Sequence, residues 1–193
     1  MMPNESVARS LSKEVRWLLV EQGWTSARRA PLEIAAASLT REGAVLHAYA
    51  EQVLRSMDGL QFHYRPTGMS VRVCADDVTA WLDEGELAYV QSFFSPSACP
   101  VALGAITGPE SRNWGGPTAE PSVFPDAMYF VAEDGQWLCV DIYLYVAWFF
   151  PNCDAALRFA LGMDGSRVRP VELKRNEERD VTAPLSETWD RKR

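Results

Sequence analysis

Met128-Tyr129-Phe130-Val131-Ala132-Glu133-Asp134-Gly135-Gln136-Trp137-Leu138-Cys139-Val140 decides how this chain folds. Two short apolar runs, rich in aromatic and β-branched side chains, flank Glu133-Asp134-Gly135, and an Asp-Gly pair in that setting is a strong hairpin signal. The apolar stretch 142–150 reads as the next strand, and its lack of clean alternation reads as a central position. Beyond it, Asn152 can cap a helix over 154–161 that Gly162 ends. Before the hairpin, Pro100-Val101-Ala102-Leu103-Gly104 reads as a short strand. The glycines and prolines of 107–125 make the intervening segment a long loop.

Farther toward the N-terminus, 60–64 and 70–73 alternate as half-buried strands around Pro66-Thr67-Gly68, a second hairpin. Between the hairpins, 79–94 returns to helical spacing through Trp81, Leu82, Leu87, Val90 and Phe94, interrupted by Gly85 and closed by Pro96. The first third is helical. Val7, Leu11, Val15, Leu18 and Leu19 predict a helix over 6–22, stopped by Gly23. Leu32, Ala35, Ala36 and Leu39 predict one from Pro31 to Gly43, and Tyr49, Val53, Leu54 and Met57 predict one over 48–57, ended by Asp58-Gly59. From Pro170 no apolar period is sustained, so 1–169 reads as one domain and 170–193 as a charged, solvated tail. No internal repeat is present.

Composition narrows the function. At 193 residues, with 47% hydrophobic and 23% charged side chains, the chain is globular. No apolar run approaches the roughly 20 residues of a membrane span, and polar residues from Asn4 to Lys13 precede any apolar stretch, so neither an anchor nor a secretory signal is expected and the cytoplasm is the expected compartment. Cys74, Cys99, Cys139 and Cys153 form no Cys-x-x-Cys pair and read as reduced thiols. With His47 and His63 read as a helix cap and a strand residue, neither a metal, nor a cofactor, nor a catalytic residue is expected. Phosphate-loop, nucleophile-elbow, zinc-helix, EF-hand and deaminase motifs are all missing.

Charge is unevenly placed. Residues 76–164 hold thirteen acidic side chains against Arg112 and Arg158, a net charge of −11 within a chain of −7. Such a surface repels nucleic acid and attracts a basic protein, or else serves solubility. The expected working surface is the rim of Asp76, Asp77, Asp83, Glu84 and Glu86. Trp114, in Asn113-Trp114-Gly115-Gly116, either anchors a partner or plugs a groove of its own fold.

With the segments placed, Gly23-Trp24-Thr25-Ser26-Ala27-Arg28 resembles the Gly-Trp-x-x-x-Arg element after the first helix in the third subfamily of SUKH immunity proteins. Ser56-Met57-Asp58-Gly59-Leu60 is similar to that branch's Phe-Gly-Gly-Leu element, and residues 100–104 to its Pro-x-Gly strand. The hairpin around Gly135 is similar to its Asp-x-x-Gly hairpin, and residues 150–162 to its closing Asp/Glu-Ala-Leu helix. The resemblance covers about residues 14–162 in consistent order. It implies an α+β fold, with an antiparallel sheet flanked by N-terminal helices and a closing C-terminal helix. It also implies an immunity protein that neutralises a toxin of a polymorphic system by direct binding, without catalytic residues or cofactor. A regulatory or scaffold protein of the same fold and an unrecognised hydrolase are the alternatives. A Trp just past a helix stop is expected to be buried, with Arg28 hydrogen-bonded to the folded body.

Overall fold

The computed structural model describes residues 5–104, 126–163 and 168–173. Among them, seven strands form one antiparallel sheet in sequence order: β1 (Leu60–Tyr64), β2 (Met69–Val73), β3 (Cys99–Gly104), β4 (Ala127–Val131), β5 (Trp137–Asp141), β6 (Val146–Phe150) and β7 (Val171–Glu172). The helices are α1 (Glu5–Ser10), α2 (Lys13–Glu21), α3 (Glu33–Arg41), α4 (Ala48–Met57), α5 (Ala75–Thr79), α6 (Glu86–Phe93) and α7 (Cys153–Ala160). The fold is α+β.

Register shows how the sheet is covered. Tyr129 pairs with Cys139 and Cys139 with Trp148, while Trp137 pairs with Phe150, so these side chains share one face. On that face Phe159 of α7 meets Trp148 and Phe150, with ring centroids 5.6 and 5.0 Å away. Tyr49 of α4 accepts a hydrogen bond from Trp137 Nε1 at 3.3 Å. Leu138 and Phe149 lie on the opposite face, where Phe94, just past α6, packs against Phe149. Every residue of β3 and β4 is buried, which is why neither run alternates.

Local chemistry sets the ends of the helices. Gly23 follows α2 with φ +91°. Its N–H donates to Val20 O at 3.1 Å and that of Trp24 to Leu19 O at 2.9 Å, a paired closure that needs a left-handed residue. The same two bonds close α3 at Gly43 and Ala44, and α7 at Gly162 and Met163. Asn152 caps α7 through Ala155 N, as its position predicts.

Four elements differ from the sequence reading. The helix expected over 6–22 is broken at Ser12, whose Oγ accepts from Val15 N to start α2 and whose own N–H donates to Asp154 Oδ1 at 2.7 Å. The helix expected over 79–94 is instead α5 and α6, with Gly85 at φ +82° between them. The strand expected from 142 begins at Val146, after a turn. Finally, Val171 and Glu172, beyond the expected end of the domain, pair with β6.

β1 lies at the edge of the sheet, where unpaired backbone groups invite pairing with another chain. The Gln22 side chain closes part of it, accepting from His63 N–H through Oε1 and donating to His63 O through Nε2 at 2.9 Å. We expect Gln22→Ala to speed exchange of the His63 amide about fivefold, the equivalent of one lost hydrogen bond, and to shift the sedimentation profile toward larger species. An unchanged His63 amide would show that Gln22 does not guard the edge.

Candidate functional site

The acidic rim read from the sequence is partly consumed by the fold. Asp76, in the first turn of α5, accepts a hydrogen bond from Ser38 Oγ of α3. Asp77 pairs with Arg72 Nε at 2.8 Å. Glu86 is buried and accepts from Asp83 N–H at 2.9 Å, a carboxylate closing the N-terminal turn of α6. Asp83 and Glu84 are exposed, so of the five acids these two form the outward rim. Trp114 lies outside the described residues. The chain leaves the described part at Gly104 and returns at Asp126, whereas α5 starts beyond the opposite end of β2.

Elsewhere the same pattern recurs. Asp154 holds the Ser12 N–H, Asp134 accepts from Gln136 N–H and Nε2, and Asp141 accepts from three backbone N–H groups. Glu86, Asp134, Asp141 and Asp154, four of the thirteen acids of the middle segment, therefore hold backbone N–H groups at turns and helix starts. Sequence gives the sign of a charge but not the donors that fold onto it.

The Gly-Trp-x-x-x-Arg element is internal. Trp24 is 2% exposed and its Nε1 donates to Ser56 Oγ at 2.8 Å. Arg28 Nη2 donates to Asp58 O at 2.8 Å, beside Gly59, whose φ is +76°. Ala30 N–H reaches Arg55 O, so the α2–α3 connection is sewn to the end of α4. Burial raises the Asp58 carboxyl above its usual range, against the opposing pull of the Ala75 N–H and Arg28. Gly23, Trp24, Arg28, Gly59 and Gly135 all serve the frame: Gly135 has φ +89° in the β4–β5 turn, where a Cβ would lie against the ring of Tyr49.

Most groups capable of chemistry are held similarly. His47 is buried, with Nδ1 accepting from Ala50 N–H, so Nε2 carries the proton and donates to Val131 O at 3.3 Å. His63 is exposed on the edge strand. Burial pushes the Cys99 thiol up to about 12 and raises those of Cys139 and Cys153 further, all three lying inside the core. Among the described residues no group of three or more His, Cys, Asp or Glu side chains is placed to hold a metal.

This burial has a measurable consequence. In a thiol titration at pH 8 we expect only half-buried Cys74 to react in the native protein, and all four thiols after unfolding. The folded state keeps its thiol protons where the unfolded chain releases them. Stability from Cys99 is therefore intact below the unfolded value of 9.0 and lost as pH rises toward about 12. Rapid native reaction of a second thiol would contradict this placement.

One arrangement escaped the sequence reading. Between β5 and β6 the chain turns through Ile142-Tyr143-Leu144-Tyr145, with Leu144 at φ +56° and 1% exposed. Tyr143 and Tyr145 stand in solvent at 62% and 52% exposure, their ring centroids 6.2 Å apart. Asp141 Oδ1 accepts from Tyr145 and Val146 N–H, both at 2.7 Å, and Oδ2 from Tyr143 N–H at 3.2 Å. Leu173 N–H closes the outer side on Tyr145 O at 2.7 Å. The signal available in sequence was Asp141 itself, since an Asp ahead of an apolar run can bond the backbone that follows and end a strand.

No helix among the described residues is long and apolar enough to cross a membrane. No family model, curated protein or solved structure matches the chain.

Proposed function

We propose that the chain is a protein-binding module of the SUKH immunity kind, which neutralises a toxin of a polymorphic system by direct contact in the cytoplasm. The observation that carries this reading is the pair of exposed tyrosines on the turn fixed by Asp141, because large aromatic side chains displayed on a rigid support are the usual anchors of protein interfaces. Three further features support it. His47 and three of the cysteines are buried in the frame. The antiparallel sheet with helices packed on it is the architecture that the ordered Gly-Trp-x-x-x-Arg and hairpin elements imply. The acidic middle of the chain suits a partner with a basic surface, Asp83 and Glu84 contributing long-range attraction.

The test is growth rescue. Each secreted protein encoded by the genes flanking this one is expressed in a sensitive host with or without the chain, and one of them is expected to kill alone, with survival rising by orders of magnitude when the two are paired. Lack of protection against such toxins, with the chain folded and abundant in the same cells, would overturn the reading.

A further inference from the structure

We infer that the turn joining α5 to α6 is a contact surface, where a basic segment of the partner protein places a cationic side chain against Trp81, Asp83 and Glu84. This rests on the protein-binding reading above and adds a second contact to it. What the fold leaves over is the first reason. Asp76, Asp77 and Glu86 each have a partner inside the protein. Trp81 is 40% exposed, Asp83 and Glu84 are exposed, and among the described residues none of these three side chains has a hydrogen bond or an ion pair. They are nonetheless held in place. Trp81 and Leu82 N–H donate to Val78 O and Thr79 O at 3.0 and 3.3 Å, Asp83 N–H donates to the Glu86 carboxylate, and Glu86 N–H donates back to Asp83 O at 3.1 Å. Leu82 packs against the core while its two neighbours are exposed. A half-buried indole on a bonded turn binds with little loss of side-chain freedom.

Charge selects the occupant. From 74 to 98 the chain holds Asp76, Asp77, Asp83, Glu84 and Glu86 and no Lys or Arg. Of the elements packed on α5, β3 carries no charge and α3 brings Glu33 and Arg41, while β2 before it brings Arg72. Arg41 pairs with Glu42 at 3.2 Å and Arg72 with Asp77 at 2.8 Å, so each guanidinium already has its carboxylate. Just past α6, Ser97 meets Glu133, a further acid. Elsewhere, 105–125 holds one base with two acids and 164–193 eight bases with seven acids, so neither segment is strongly basic as a whole. A cation at the turn is attracted by the indole, the best of the aromatic faces, and by the two carboxylates together. A phosphate-bearing partner would be repelled by the same acids.

The experiment uses the whole isotope-labelled chain and a short blocked peptide of alternating Arg and Gly, with an alternating Glu and Gly peptide as comparison. We expect the Arg peptide to shift the Trp81 indole N–H and the amides of 81–85, and the Glu peptide to shift neither. The double variant Asp83→Asn with Glu84→Gln should bind about fivefold more weakly while its remaining spectrum is unchanged, since the fold uses neither carboxylate. Trp81→Leu keeps an apolar side chain but removes the aromatic face, and should weaken binding about threefold. Four results would overturn the inference. The first two are shifts centred on Tyr143 and Tyr145 instead, and undiminished binding by either variant. The third is a set of 81–85 signals that in the free chain depend on protein concentration and so report a second copy. The fourth is a set of free-chain 81–85 signals that move when Arg112 or the bases at 167–193 are made neutral, and so report the chain's own segment. The two proposals fail separately. A double variant that loses the peptide yet still protects cells removes this surface and leaves the immunity reading. Peptide binding at Trp81 by a chain that protects against no toxin does the reverse.

Discussion

Trp24→Ala is expected to destabilise the protein by about 4 kcal/mol, the upper range for removing a buried tryptophan. Two terms add. The indole is 2% exposed in the core, so its removal leaves a cavity that α2, α3 and α4 cannot close without shifting. It also leaves Ser56, 1% exposed, without the indole N–H that its hydroxyl accepts. Trp24→Phe separates the terms: it refills most of the volume and loses the hydrogen bond, for an expected cost of about 1–2 kcal/mol. Urea unfolding of both variants, with unchanged slope, checks the order. If Trp24→Ala costs under 1 kcal/mol, the Gly-Trp-x-x-x-Arg element is not the clasp described above.

Asp141→Ala should cost about 3 kcal/mol, because one half-buried carboxylate accepts three backbone N–H groups and charged acceptors make the stronger bonds. Its effect should also be local. Without that acceptor the left-handed Leu144 is held only by its own burial and by backbone bonds, and exchange of the Tyr145 and Val146 amides should rise far more than that of Phe130 at the centre of β4. Asp141→Asn keeps one acceptor oxygen for Tyr145 and Val146 and should lose about 1 kcal/mol. A uniform rise in exchange across the sheet would mean that Asp141 supports the whole fold rather than this turn.

The parts of the fold legible in sequence are those set by neighbours along the chain. The β4–β5 hairpin follows from Asp134-Gly135 between apolar runs, the ends of α2, α3 and α7 from Gly23, Gly43 and Gly162, and the start of α7 from Asn152. What was missed depends on partners distant in sequence. Ser12 breaks the first helix in two with help from Asp154, 142 positions away, and Gln22 meets His63 across 41. Apolar periodicity carries no trace of either contact. The candidate site divides the same way. Acidity was readable, but Asp76, Asp77 and Glu86 turn out to serve Ser38, Arg72 and the α6 terminus, leaving Asp83 and Glu84 outward. Tyr143 and Tyr145 were hidden inside an apparent strand, because β-propensity favours extended backbone there and only the Asp141 carboxylate overrides it.

The central claim, that this chain acts by occupying a partner and not by altering it, is tested most directly by titrating a fixed amount of the purified toxin with the chain and following residual toxin activity. Direct binding predicts a linear fall to zero at a fixed molar ratio of the two chains, with full activity recovered when the complex is separated under denaturing conditions and the toxin refolded. Complete inactivation by a small fraction of an equivalent, or activity that does not return after separation, would show turnover and contradict the account.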